Sequence, residues 1–361
     1  MKQEAGKILK YGWTTGSCAT AAAKAAYHAL CHGDFPDPVH ITLPQGRQVH
    51  FALANKGQIL NDCAKAAIVK DAGDDPDITH GALIWAQIRK ISKGSGILFK
   101  AGKGVGVITR PGLALAVGEP AINPVPRQMI RRALMEVNPL PDVEVTIGVE
   151  NGEILAKQTL NPRLGILGGL SILGTTGIVV PYSCAAWIAS IHHGIDVARA
   201  MGLNHLIAST GNVSEQSAQN LYHLPEPALI EMGDFAGGVL KYLCSHPVER
   251  LTLAGGVAKM TKLAQGHLDL HSSRSQVDLK ALADLAQHLG AETNLVAAIE
   301  QANTAAHAFE LAQHAKLPLG NAVAKQAWNQ ARSILKSSTI DLEVLLFDRK
   351  GMRQGKASFS K

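Results

Sequence analysis

Leu206-Ile207-Ala208-Ser209-Thr210-Gly211-Asn212-Val213-Ser214 passes from an apolar run through a Thr-Gly-Asn loop into residues that open a helix. Strand, loop and helix in that order build an open parallel sheet, whose ligands bind outside the carboxyl ends of the strands. The order recurs on either side. Apolar runs at Val143–Val149, Ala228–Glu231 and Leu251–Leu253 are followed by loops such as Met232-Gly233-Asp234 and Ala254-Gly255-Gly256. Helices fit at Ala185–Met201, Ser214–Tyr222 and Phe235–Leu243. Three more, Val277–Leu289, Leu295–Ala315 and Ala322–Lys336, carry apolar residues every three or four positions. Leu342–Phe347 reads as a further strand.

Residues 1–145 have another rhythm. An Ala-rich helix from Cys18 to Leu30 follows Thr14-Thr15-Gly16-Ser17, whose hydroxyls can cap its free N–H groups. Val39–Leu43 and Val49–Leu53 flank the turn Pro44-Gln45-Gly46 as a hairpin, and strands fit at Ala66–Val69, Leu83–Ile91, Ile97–Lys100 and Val105–Thr109. The sequence therefore predicts an α+β N-terminal domain, residues 1–145. It is joined to an α/β domain of Rossmann-like open-sheet type with a C-terminal helical segment, residues 146–361.

Charge and composition narrow the function. Only 18% of residues are charged against 46% apolar, which excludes disorder. From Leu164 to Ile195 no Asp, Glu, Lys or Arg occurs, but the stretch holds six glycines and Pro181 and has no flanking Lys/Arg cluster, so it reads as buried backbone rather than a membrane span. Met1-Lys2-Gln3-Glu4 lacks the apolar run of a secretory signal, and five widely spaced cysteines point to reduced thiols in a cytosol. A net charge of +6 without a basic block, and aromatics at 4%, argue against nucleic acid and suit an anionic small molecule.

Several motifs carry chemistry. The helix start at Thr14–Ser17 offers N–H groups to a carboxylate or phosphate, or simply to its own caps. Cys18 has no base beside it. Asp71-Ala72-Gly73-Asp74-Asp75-Pro76-Asp77 is acidic without EF-hand spacing and reads equally as a solvated Asx-turn loop. Gly102-Lys103-Gly104 is not a P-loop, because extended residues follow it. Arg110 and Arg127 are placed to grip carboxylates; Arg131 and Arg132 read as a solvated helix face. His28 with His32, and His192 with His193, lack a third ligand at motif spacing, so no protein metal site is expected. Gly168-Gly169-Leu170-Ser171-Ile172-Leu173-Gly174-Thr175-Thr176-Gly177 leads toward the first helix of the α/β half, as a loop cradling an adenosine-type cofactor would, with Glu231 or Asp234 at a later strand end to take a ribose diol.

Taken together, Gly12-Trp13-Thr14-Thr15-Gly16-Ser17-Cys18, Lys70–Gly81, Arg110-Pro111-Gly112-Leu113, Gly118–Arg127, Asn161–Ile166 and Thr210-Gly211-Asn212 resemble, in order, the CbiD family of cobalt-precorrin-5B C1-methyltransferases. The chain departs from that pattern at Cys184 and Ala185, where the family carries acidic residues. It departs again at Leu270-His271-Ser272-Ser273, where Arg274 stands one place late. The resemblance implies methyl transfer from S-adenosylmethionine to C1 of a cobalt-bearing tetrapyrrole in anaerobic cobalamin biosynthesis, with cobalt arriving only as part of the substrate. It implies a tetrapyrrole-binding N-terminal domain, with the substrate held by Thr14, Thr15, Gly16, Ser17, Arg110, Asn123 and Arg127 and also by Arg163 beyond that domain. The donor falls to the α/β domain through Gly168, Gly169, Gly174, Thr175, Thr176, Gly177, Thr210, Gly211, Asn212, Glu231, Asp234, Gly255 and Gly256. His271, Asp71 and Asp74 are the candidates for moving a proton. An NAD(P)H-dependent reductase of a related precorrin and a non-catalytic tetrapyrrole carrier are the rival readings, and homodimerisation is left open.

Overall fold

In the computed structural model, which describes residues 9–54, 57, 59–336 and 339–358, a short strand β1 (Gly12–Trp13) leads into helix α1 (Thr15–His32). Six alanines of α1, from Ala19 to Ala26, are fully buried. A helix with such small side chains can approach its neighbours closely on nearly every face. Around it lie the hairpin β2 (Val39–Thr42) and β3 (Gln48–Phe51), then β4 (Ile59–Leu60), β5 (Cys63–Val69), β6 (Leu83–Lys90) and β7 (Ile97–Ala101). The short strands β8 (Gly104–Val105) and β9 (Val107–Ile108), helix α2 (Pro124–Met135), strand β10 (Val143–Val149) and helix α3 (Gly152–Ala156) follow. The main sheet has the order β4-β5-β6-β10-β7, antiparallel except where β10 runs parallel to β7. Alternate residues of β10, Val143, Val145, Ile147 and Val149, enter the core that α1 covers.

Strands β11 (Ile166–Leu167), β12 (Gly169–Leu170) and β13 (Ile178–Val179) complete this unit, pairing with β9, β8 and β1. Glycine is required where β8 and β12 meet, since a Cβ on Gly169 would stand 2.3 Å from the carbonyl carbon of Gly104. The uncharged stretch beginning at Leu164 is thus explained up to Val179 by close backbone packing within one unit. Among the described residues no helix is long and apolar enough to cross a membrane.

The chain divides between Cys184 and Ala185, not near residue 145. The displaced boundary has a simple cause. Val143–Val149, expected to open the second domain, instead pairs with Leu83–Lys90 and Ile97–Ala101 in the first.

The second unit contains α4 (Cys184–Ala200) beyond its first residue, β14 (His205–Ser209), α5 (Asn212–Tyr222), β15 (Leu229–Glu231), α6 (Ala236–Leu243), β16 (Arg250–Gly256) and α7 (Val257–Ala264). Four helices follow, α8 (Leu279–His288), α9 (Thr293–Glu300), α10 (Ala305–His314) and α11 (Leu319–Leu335), then β17 (Asp341–Phe347) and β18 (Arg353–Ser358). Strand order is β15-β14-β16-β17-β18, parallel through β17, with β18 antiparallel at the edge. Side chains alternate between two cores. Leu206, Ala208, Leu251, Leu253, Val344 and Leu346 face the larger one, while Ile207, Ala254, Leu345 and Phe347 pack with Ala218 of α5. The single helix expected over Leu295–Ala315 is two, because the Thr304 hydroxyl accepts the His307 N–H and starts a new helix.

Candidate active site

In the first unit, most of the polar groups singled out from sequence are already occupied by the chain itself. The Thr14 hydroxyl caps Ser17 N–H at 3.2 Å, Gly16 N–H donates to the Leu173 carbonyl at 3.0 Å, and the Ser17 hydroxyl donates to the Gly177 carbonyl at 2.7 Å. Thr14, Thr15 and Ser17 are buried. The start of α1 is therefore no seat for a substrate carboxylate, because the Gly-rich segment supplies its acceptors. That segment, with Gly168, Gly169, Gly174, Thr175, Thr176 and Gly177, belongs to the first unit, where Gly169 and Leu170 pair with Gly104 and Val105, and not to the second as expected. The Cys18 thiol is pushed up to about 12 by burial, which the nearby Lys70 charge offsets only in part, so it stays protonated.

Arg127 is likewise committed. Its guanidinium donates to the Ile122 and Pro120 carbonyls at 2.7 and 3.0 Å and pairs with Glu119 at 2.7 Å. Arg110 reaches the Arg163 carbonyl at 2.6 Å while its stem packs over Gly165, and both arginines stay half-buried. Asn123 precedes α2 without a side-chain cap bond and is half-buried. Arg110, Asn123 and Arg163 are the half-buried substrate candidates of this unit.

The acidic loop is a clamp. Lys10 Nζ pairs with Asp71 at 2.6 Å, Lys10 N–H donates to Asp74 at 2.7 Å, Tyr182 N–H donates to Asp75 at 2.8 Å, and Asp77 pairs with buried Lys70. The Lys10 hydrogen bond, with a second from Gly73 N–H, holds the Asp71 carboxyl below the usual range. Asp71 and Asp74 thus both tie Lys10 to this loop.

In the second unit the predicted residues converge. The chain runs from β14 to β15 on one side and then crosses to β16 on the other, so the strand order reverses between β14 and β16. In an open parallel sheet the crevice beyond such a reversal is where ligands sit. Thr210, Gly211 and Asn212 leave the end of β14, and Gly255 and Gly256 close β16. Thr210 N–H donates to the Ala254 carbonyl at 3.0 Å, and Met232 N–H to the Ser209 carbonyl at 2.9 Å, tying three strand ends together. Gly211 and Gly256 begin α5 and α7 without side-chain caps, and a Cβ on either would meet nothing within 4 Å. Space therefore opens above both loops. At the end of β15 no ion pair or hydrogen bond among the described residues holds the Glu231 carboxylate, whereas Asp234 pairs with Lys259 at 3.0 Å.

The His271 loop joins this edge, since Leu270 N–H donates to the Asp234 carbonyl at 2.8 Å and Lys262 Nζ to the Leu270 carbonyl at 2.8 Å. His271 is exposed; its Nδ1 accepts the Ser273 N–H at 3.2 Å and lies 2.7 Å from the Ser273 hydroxyl. In the neutral ring that leaves the proton on Nε2. Arg274 pairs with Asp269 at 2.7 Å in the same loop. Sequence reasoning missed Lys259 and Lys262, because α7 itself was missed. The available signal was a helix start after Gly255-Gly256.

These features define a two-unit protein whose second unit carries a sheet of four parallel strands and one antiparallel edge strand. The chain belongs to the CbiD family: the CbiD profile matches residues 2–181 and the CbiD C-terminal domain profile matches residues 269–358. Relatives named cobalt-precorrin-5B C(1)-methyltransferase include one from Agrobacterium fabrum, 59% identical over 98% of this chain and 94% of its own. Others are from Halorhodospira halophila, 53% identical over 99% and 97%, and Paramagnetospirillum magneticum, 56% identical over 97% and 99%. A crystal structure of a cobalamin biosynthesis protein (CbiD) from Archaeoglobus fulgidus aligns at 26% identity, covering 74% of this chain and 83% of that one, with a TM-score of 0.39.

Proposed function

We propose that this chain is a cobalt-precorrin-5B C1-methyltransferase and that S-adenosylmethionine is its methyl donor, taken at the β14/β16 edge of an open-sheet second unit. One observation carries the placement of the donor: the open space above Gly211 and Gly256, beside a Glu231 carboxylate that has no hydrogen-bond or ion-pair partner among the described residues. Glycines at both loops let a ligand approach the backbone, and a carboxylate at the end of the neighbouring strand suits a ribose diol. Asp234 is assigned no such role, because Lys259 holds it.

The donor, when bound, supplies an electrophilic methyl group: the S–CH3 bond breaks as the C1–CH3 bond forms, and the electron pair stays on sulfur. What the protein must supply is mainly position and dryness. Arg110 and Arg163, with Asn123, are assigned to the carboxylates of an anionic tetrapyrrole, in a unit with 19 Lys and Arg against 14 Asp and Glu. The cobalt belongs to the substrate. His271 is the side chain assigned to moving a proton, through Nε2. Replacing it with Ala is expected to lower kcat about 100-fold while leaving donor affinity unchanged; an unchanged kcat at saturating substrates removes it from the mechanism.

The reading is tested by single-turnover incubation with cobalt-precorrin-5B and methyl-labelled S-adenosylmethionine. Label at C1 is expected. Absence of transfer, or displacement of the donor by NADPH in a binding titration, would refute it.

A further inference from the structure

We infer that Lys259 is a positioning residue for methyl transfer, fixing the walls of the donor site rather than touching the reacting atoms; the inference rests on the proposed function above. Lys259 lies in the first turn of α7, directly after the Gly255-Gly256 loop. Its ammonium donates to the Thr210 carbonyl at 2.9 Å and stands 3.0 Å from Asp234 Oδ1. Those partners belong to the loops after β14 and β15, so one side chain links the ends of all three strands that frame the edge. Asp234 Oδ1 is buried and accepts no hydrogen bond among the described residues, so the Lys259 ammonium at 3.0 Å, with the charge of Lys262, compensates it. Through the Asp234 backbone carbonyl the same connection reaches Leu270 and so the His271 loop.

The chemistry explains why a lysine stands there. Asp234 without Lys259 would keep only the Lys262 charge to compensate its buried, unbonded Oδ1, and would compete with Glu231 for the donor. With Lys259 in place, Asp234 is neutralised and Glu231 remains the carboxylate available to the donor. Removing the ammonium takes away the side-chain link between the Thr210 and Asp234 loops and leaves only the backbone bonds to the Ser209 carbonyl to join them, which loosens the donor contacts without altering those of the tetrapyrrole.

Lys259→Met is expected to raise KM for S-adenosylmethionine at least about tenfold, with KM for the tetrapyrrole and the melting temperature held. Lys259→Arg, which keeps the charge, is expected to restore donor KM to within about threefold of the unmodified chain. Should Lys259→Met fold poorly, Asp234→Asn breaks the same pair from the other side, and titration with S-adenosylhomocysteine reads the same weakening without turnover. A donor KM within twofold of the unmodified chain, equal values for Met and Arg, or a parallel rise in both KM values would each overturn the inference. An unmodified chain that neither binds donor nor transfers a methyl group refutes the proposed function, and this inference with it. One that does both beside an indifferent Lys259→Met refutes this inference alone.

Discussion

Gly256→Leu is expected to leave the protein as stable as before and to raise KM for S-adenosylmethionine about 100-fold. The backbone at Gly256 is extended, φ −68° and ψ 148°, and the space where a side chain would start is empty to 4 Å. A leucine costs the fold little there, yet it occupies the volume assigned to the donor. Its neighbour sharpens the comparison. At Gly255 a Cβ would come within 2.5 Å of Met260 Sδ and 2.9 Å of Thr210 Cγ2, so Gly255→Ala is expected to cost about 1–3 kcal/mol of stability. Thermal melts and donor KM measured on both variants separate a ligand cradle from a packing glycine. Retention of donor affinity in Gly256→Leu would move the donor elsewhere.

The second large effect concerns the ion pair of Lys70 and Asp77. Lys70 is 1% exposed and Asp77 25%. Asp77→Ala strands a buried ammonium and is expected to cost about 3–5 kcal/mol. Lys70→Met should cost less, because the carboxylate it leaves is partly solvated and still accepts two hydrogen bonds from Thr79. The double variant should recover much of the loss, since neither charge is then left alone. Urea denaturation of the three variants checks the order. Burial pushes the Asp77 carboxyl up, but the Lys70 charge and hydrogen bond, with those of Thr79, outweigh it and hold the carboxyl below its ordinary 3.8. A depressed carboxyl contributes stability above its unfolded value and loses it as pH falls through the folded one. Acid unfolding below about pH 4 should accordingly be shallower in the double variant.

The strand–loop–helix order around β14 was legible because its signals are local. Each strand there ends at a Gly, Thr or Asp loop next to it in sequence, and Leu206–Asn212 alone contains strand, loop and helix start. What failed depended on distant partners. Val143–Val149 looks equally apolar in either unit, and only its pairing with residues 83–90 assigns it. The Gly-rich segment was read against the helix that follows it, whereas its partners are Gly104 and Thr14–Ser17, far earlier in the chain. Apolar spacing continues across α9 and α10, hiding a break that the capping Thr304 marks. Strand β18, Arg-Gln-Gly-Lys-Ala-Ser, is a polar edge strand with too little hydrophobic pattern to announce itself.

The stitching of α1 to the Gly-rich segment also sets a timetable for biosynthesis. Gly12 faces Val179 across a strand pair, and the acceptors for Gly16 and Ser17 come from residues 173 and 177. Residues near the start of the unit are thus among the last of it to be secured. Because such distant contacts need most of the chain before they form, the unit should close only after synthesis has passed its last strand. Ribosome-bound chains halted at residue 165 should remain open to protease around residues 12–17, and chains halted well beyond residue 179 should resist it.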